Sequence, residues 1–260
     1  MAIFGRTMFK HFALCSILIS FAAYGADTTF LAIDARSGIA VRSTGPNLDQ
    51  RVSPCCSFNI VLSLVGYETG ILKDAQQPAW TLNGSAAAEG LDGALSPRSW
   101  MTTSAVWYSK RLAKTIGQKT LQDYLIRFFY GNQDLWGGGG RDAFTMAHEC
   151  STLMIAPTEQ VQFLQRLLTG SLSVSAHAVE MTKALLYDQT FPSGWLLYGK
   201  TGSGFHSHTS NKIAWYVGWI EKDAQQYPFA LLMTGLSTFP TKAERQEAVK
   251  QFFREISICL

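Results

Sequence analysis

Trp195-Leu-Leu-Tyr-Gly-Lys-Thr-Gly-Ser-Gly204 is the stretch from which the fold can be read. Trp195 to Tyr198 carries the large apolar and aromatic residues of a β-strand, and it runs directly into a lysine held between glycines. Downstream, Ala214 to Ile220 and Phe229 to Thr234 read as further strands. Ala243 to Ile258 reads as an amphipathic helix, with Val249, Phe252, Phe253 and Ile256 on one stripe. At the other end of the chain, Phe30 to Asp34 and Ile39 to Arg42 flank Ala35-Arg-Ser-Gly38 as a hairpin would.

The middle of the chain has the helical period. Pro54 precedes a run through Ile60, Val61, Leu64 and Val65 that stops near Gly66 or Gly70. Trp100 to Gly117, Leu121 to Phe129, Pro157 to Leu168 and Ala176 to Leu186 are read as helices, and residues 75–97 as surface loop. The expected class is mixed α/β: a sheet made from both termini, a C-terminal helix against it, and an inserted helical lobe.

Of 260 residues, 47% are hydrophobic and 16% charged, enough for a large core and too apolar for disorder. The formal net charge is +3, and two of those charges, Arg6 and Lys10, start a segment expected to be removed. Without it the chain stands near +1, so no nucleic-acid partner is expected. The basic start, the apolar run Phe12 to Ala23 and the small-x-small exit Ala23-Tyr24-Gly25 read as a signal peptide over 1–25. The expectation is one domain over 26–260, exported to a bacterial periplasm and in contact with membrane only during export. Composition leaves the oligomeric state open. Cys55, Cys56, Cys150 and Cys259 remain after cleavage. No zinc spacing occurs among them and no metal is expected; an oxidising compartment allows a disulfide whose pairing sequence cannot assign.

Lys200-Thr201-Gly202 alone is a weak match to anything, but it has company in a fixed order. Ser104-Ala105-Val106 lies upstream, followed by Tyr130-Gly131-Asn132, then Ala156-Pro-Thr-Glu-Gln-Val-Gln-Phe-Leu164 and Val179-Glu-Met-Thr-Lys183, with Trp215-Tyr-Val-Gly-Trp219 after it. The set resembles the class D, oxacillinase-type serine β-lactamases across nearly the whole mature chain. The resemblance implies the serine β-lactamase/penicillin-binding-protein transpeptidase-like fold with an antiparallel sheet. It also implies a ligand that is a β-lactam or a peptidoglycan-like small molecule. Lys200 would attract its carboxylate, and Thr201, Gly202 and the Ser203 backbone would line it and supply an oxyanion donor. Ser104 would relay a proton to the leaving nitrogen, and Val106, Tyr130 and Asn132 would belong to the binding surface. Lys242 or Arg245, in Pro240-Thr-Lys-Ala-Glu-Arg245, would hold the carboxylate; alternatively both are solvent-facing charges capping the last helix.

The first motif of that family, Ser-x-x-Lys, is altered. In Ser53-Pro54-Cys55-Cys56-Ser57-Phe58-Asn59-Ile60 the flanking residues put Cys56 at the nucleophile position and Asn59 at that of the lysine base, which class D enzymes carbamylate. Asn59 cannot be carbamylated, so no cofactor is expected. The family's tryptophan partner of that lysine falls near His148, in Trp136-Gly-Gly-Gly-Gly-Arg-Asp-Ala-Phe-Thr-Met-Ala-His148. Two readings compete: decay to a binding pseudoenzyme with lost or severely reduced hydrolysis, or replacement by a Cys56 nucleophile with His148 as base, an unusual acyl-transfer enzyme. A β-lactam or peptidoglycan-peptide sensor is a third.

Overall fold

The computed structural model describes residues 27–82, 93–135, 152–205 and 211–260. The segment read as a signal peptide, and also His148 and Cys150, lie outside the described residues.

Six strands form one antiparallel sheet. They are β1 (Asp27–Ile33), β2 (Ala40–Thr44), β5 (Tyr187–Thr190), β6 (Leu196–Phe205), β7 (Lys212–Lys222) and β8 (Gln225–Leu236), in the order β2-β1-β8-β7-β6-β5. The first and last strands in sequence, β1 and β8, pair from Asp27 opposite Thr234 to Ala32 opposite Phe229. The sheet is thus built from both termini. Strands β3 (Trp80–Thr81) and β4 (Ala94–Leu95) pair with each other inside the stretch read as loop.

The alternation of side chains explains why both faces of the sheet are covered. On β1, Phe30 and Ala32 face one way and Leu31 and Ile33 the other; on β7, Ala214 and Tyr216 oppose Trp215 and Val217. The first set packs with Val249, Phe252 and Phe253 of helix α7 (Lys242–Arg254). Phe30 stacks on Phe252 with ring centroids 4.5 Å apart. The second set joins the larger core of the helical lobe: α1 (Asn59–Glu68), α2 (Pro97–Thr103), α3 (Val106–Ile116), α4 (Gln118–Phe128), α5 (Pro157–Leu168) and α6 (Ala176–Leu186).

The single helix expected over Trp100 to Gly117 is two. Ser104 caps α2 in the left-handed conformation, with φ 57° and ψ 36°, and α3 starts afresh at Val106. A helix pattern in the side chains does not disclose one residue of inverted backbone. Here the break turns the chain so that Ser104 meets the sheet.

Candidate active site

Cys56 stands in the 3-10 turn Cys55–Phe58 that leads into α1. Several features place that turn. Trp215 donates its indole N–H to the Ser53 carbonyl at 2.8 Å. Cys55 adopts φ 49°, a conformation a side chain disfavours, and is fully buried. Cys56 itself is only half-buried. Across from it lies Gly202 on β6. A Cβ at that glycine would stand 3.0 Å from the Ser57 nitrogen, 3.1 Å from the Cys55 Cβ and 3.1 Å from the Cys56 nitrogen. A bare backbone is therefore what allows strand and helix to meet.

Ser57, next to Cys56, is turned inward. Its hydroxyl donates to the Pro54 carbonyl at 2.6 Å and accepts from the Gln160 amide at 2.9 Å. It is 1% exposed and offers nothing to a ligand.

Lys200 comes from the same side of β6 as Gly202, two residues back, as the period of a strand requires. It is 4% exposed. Its ammonium donates to the Ser104 hydroxyl and, at 2.9 Å, to the Thr201 carbonyl. Burial lowers its pKa to about 8; the charge of Cys56 opposes this, and Lys242 and Arg245 reinforce it. Cys56, Ser104 and Lys200 are thereby brought together between the helical lobe and β6. Val106, half-buried, opens α3 beside them. The outer neighbour of β6, β5, pairs only with Leu196, Leu197 and Tyr198, so from Gly199 onward that edge has no strand beside it among the described residues.

Asn59 is wholly buried at the first position of α1. Its Oδ1 accepts from the Ser109 hydroxyl at 3.0 Å, and Ser109 in turn accepts from the Trp100 indole N–H at 2.8 Å. The Asn59 Nδ2 has no hydrogen-bond partner among the described residues. Trp100 and Ser109 bound the stretch that carries Ser104, but nothing in their spacing gave them a role; the relay exists only because α1, α2 and α3 converge.

The two candidates for a carboxylate clamp separate. Lys242 is about half exposed and pairs with Asp188 at 2.8 Å. Together with Lys200, Thr201, Thr102 and Met101 they border a cavity of about 300 Å³. Asp188, missed by sequence, also accepts from the Tyr216 hydroxyl and the Gln246 amide, each at 2.8 Å. Arg245 was expected to be a clamp or a solvent-facing cap charge; it is neither placed for the second nor available for the first. It is 4% exposed, and its guanidinium donates to the carbonyls of Gly202, Trp215 and Pro240 and to the Ser203 hydroxyl. With Nε also on Pro240, every donor is committed to the protein. Burial lowers its pKa to about 10.

Tyr130 and Asn132 were expected on the binding surface, and the structure turns both inward. Tyr130 is fully buried and donates to Gln160 at 3.5 Å. Asn132 holds two loops together: Nδ2 donates to the Thr152 carbonyl at 2.6 Å, and Oδ1 accepts from the Met154 N–H at 2.9 Å. Gly131 between them has φ 55°, and a Cβ there would stand 2.0 Å from the Met154 carbonyl oxygen. Turn-forming residue types serve the turn itself here.

The penicillin binding protein transpeptidase domain matches residues 29–257. β-Lactamase OXA-9 of Klebsiella pneumoniae is 35% identical over 212 residues, 78% of this chain and 77% of that protein. β-Lactamase OXA-1 of Escherichia coli is 31% identical over 214 residues, 81% of this chain and 77% of that one. Among solved structures, the class D β-lactamase OXA-427 superposes with a TM-score of 0.79 at 32% identity, covering 88% of this chain and 99% of its own. Taken with the two-lobed fold and the Lys200–Ser104 pair, these likenesses establish that the chain belongs to the class D, oxacillinase-type β-lactamase family.

Proposed function

We propose that this protein binds β-lactams, or peptidoglycan-like peptides of the same shape and charge, in the space around Lys200 and Ser104, and that it does not turn them over. The observation that carries this reading is the buried Asn59 amide at the position the resemblance assigns to the base. Held by Ser109, it has no lone pair of useful basicity and no accessible pKa. General base assistance contributes about 100- to 10,000-fold, and a nucleophile and its base fail as a unit.

The binding half of the site supports the other clause. Lys200 remains beside Ser104, and Lys242 adds a second cation bordering the same 300 Å³ cavity. Lys242, with its ammonium reachable from solvent, is the side chain suited to a ligand carboxylate; Arg245 shapes the strand from behind. The charge and apolar pattern of residues 1–25 supports export, so the ligand would be met outside the cytoplasm.

Two measurements on one preparation test this. Isothermal calorimetry with benzylpenicillin is expected to show stoichiometric binding, and a chromogenic cephalosporin is expected to persist through hours of incubation. Steady multiple turnover, abolished by substitution within the site, would sink the reading from one side; absence of binding to any penicillin or cephalosporin would sink it from the other.

A further inference from the structure

We propose that the end of α4 is a docking point for an anionic membrane surface: Ile126 and Phe129 enter the headgroup layer, and Arg127 and Arg166 meet the lipid phosphates. The near-neutral charge of the whole chain does not disclose such a patch, because the patch is local. Among the described residues no helix is long and apolar enough to cross a membrane, so the contact is a peripheral one.

Phe129 is the residue that singles out this place. Helix α4 ends in the pair of hydrogen bonds that a glycine ordinarily closes: the Phe129 N–H donates to the Ile126 carbonyl at 3.1 Å, and the Tyr130 N–H reaches back to the Leu125 carbonyl at 3.0 Å. Phe129 stands at the turning point with φ 47° and ψ 46°, in the left-handed region. Glycine adopts that conformation freely, whereas a Cβ there crowds the following carbonyl. Burial of the ring does not offset the strain. Phe129 is 67% exposed, more than any other phenylalanine, tyrosine or tryptophan among the described residues. A strained backbone that presents an aromatic ring to water points to a use outside the fold.

Ile126, 50% exposed, lies in the last turn of the same helix, three residues before Phe129. Two guanidiniums flank the pair. Arg127 is exposed and stacks over the Tyr124 ring, 5.0 Å from its centroid. Arg166, from α5, lies 5.9 Å from the Phe129 centroid and donates from Nη2 to the Phe128 carbonyl at 2.7 Å. Its Nε is buried with no hydrogen-bond partner among the described residues. Burial lowers its pKa, and no carboxylate opposes the shift. Neither arginine has an ion-pair partner among the described residues. The Asp123 carboxylate, one turn back on α4, is held by Lys119 at 2.8 Å.

The occupant follows from shape and charge. Ile126 and Phe129 stand out from a helix end, and an apolar tip that stands out needs a partner that yields to it, as a headgroup layer does. The cations at the base of the tip set the sign of that partner. Arginine keeps its charged head at the level of the phosphates while its stem follows apolar surface inward, and each cation near an anionic bilayer strengthens binding by about fivefold. A second copy of this chain, docked symmetrically, would bring the same two uncompensated cations face to face, and their repulsion argues against it.

The experiment is co-sedimentation of the full chain with vesicles of phosphatidylglycerol and phosphatidylcholine in equal parts, at lipid concentrations where less than half of the parent is bound. Residues 1–25 are common to every variant, so the differences between variants carry the test. Phe129→Gly supplies the residue that the turn favours. It is expected to raise the melting temperature by about 2–4 °C and, in the same preparation, to lower vesicle binding by about fivefold or more. A folding defect cannot produce that pair of effects. Arg127→Gln is expected to melt like the parent and to lose about fivefold in binding to the anionic vesicles, with no loss on phosphatidylcholine alone. Equal vesicle binding by the parent and Phe129→Gly would overturn the inference. Binding of Arg127→Gln at the parent's level would overturn the choice of an anionic surface. Self-association in analytical ultracentrifugation that Phe129→Gly abolishes, without vesicle binding, would assign the patch to a second copy and overturn the lipid reading.

Discussion

The Ser109 hydroxyl donates to the Asn59 oxygen at 3.0 Å across 50 residues of sequence, with both groups shut off from solvent. This single hydrogen bond makes Asn59 an organised part of the interior. Trp100 feeds the same hydroxyl from behind, so the three residues form a polar chain in which only the last nitrogen is left over. Removing its middle member in Ser109→Ala would strand the Trp100 donor and the Asn59 acceptor together. The expected loss is about 2–4 kcal/mol in urea unfolding, the sum of two buried groups left unmade. A loss below about 1 kcal/mol would show that the relay is not formed in solution.

If the position of Asn59 is that of a base, then restoring the base should restore the reaction. Cys56→Ser/Asn59→Lys places a hydroxyl and an amine three residues apart at the start of the helix, with Ser109 and Trp100 already beside the second position. The double variant, assayed with bicarbonate to permit carbamylation of the new lysine, is expected to hydrolyse benzylpenicillin at least about 100-fold faster than Cys56→Ser alone. Equal rates in the two, with both variants folded, would mean that the register placing Asn59 at the base position is wrong.

Lys200 gives the protein a pH dependence whose sign can be worked out. Its pKa is about 8 in the folded chain against 10.5 for an ordinary lysine. Below pH 8 both folded and unfolded chains hold the proton, and the folded state bears the full cost of a buried cation. Between pH 8 and 10.5 the folded chain has released the proton and the unfolded chain has kept it, so this contribution to stability rises with pH. Lys200→Met removes the effect. The variant's stability relative to the parent is expected to be more favourable at pH 7 than at pH 10, by on the order of 2 kcal/mol. The same titration weakens binding of a carboxylate: in the parent, penicillin affinity should decline as pH rises through about 8.

How much of this was legible beforehand depended on the kind of signal. The sheet was, because β7 and β8 advertise themselves by long apolar runs and α7 by its stripe of Val249, Phe252 and Phe253. The pairing of Lys200 with Ser104 was legible only through the resemblance, since 96 residues separate them and no local period links them. Ser104 itself hid a helix break, as an inverted φ leaves no mark on hydrophobic patterning. Arg245 and Asn132 misled for a common reason. A polar side chain in a recognisable motif reads as exposed and functional, whereas both lie where backbone carbonyls and amides need partners, and both are absorbed by them. Asp188 could not be found at all: its role comes from Lys242, Tyr216 and Gln246 arriving from three other places in the chain.

Lys242 and Arg245, only three residues apart, should therefore give opposite phenotypes. The Lys242–Asp188 pair is half exposed on the lysine side, so Lys242→Ala is expected to change stability by less than about 1 kcal/mol. It should weaken penicillin binding measurably, because its ammonium borders the cavity next to Lys200. Arg245→Ala would leave carbonyls of Gly202, Trp215 and Pro240 without their donors inside the protein and is expected to cost about 3 kcal/mol or more. Thermal melting and calorimetry on both variants check this. A Lys242→Ala that binds normally would remove the residue from the ligand site.

Gly202→Ala tests the approach on which the site depends. The new Cβ would meet the Ser57 and Cys56 nitrogens at 3.0 and 3.1 Å and the Cys55 Cβ at 3.1 Å. Two of those three contacts are backbone atoms of a turn whose Cys55 already has an unfavourable φ of 49°, so the turn has little freedom to yield. Strand β6 is tied on its inner edge to β7 through the Gly202–Trp215 register, and Arg245 grips the Gly202 carbonyl, so the strand cannot simply retreat either. The methyl must be accommodated by separating Cys56 from Lys200 by a few tenths of an ångström. The expected stability loss is about 1–3 kcal/mol, the usual cost of overpacking. The stronger expectation concerns the site: penicillin binding, measured by calorimetry, should weaken by more than the stability loss explains at a temperature where the variant is fully folded. Binding at the parent's affinity in a destabilised variant would show that the strand-to-helix contact supports the fold alone.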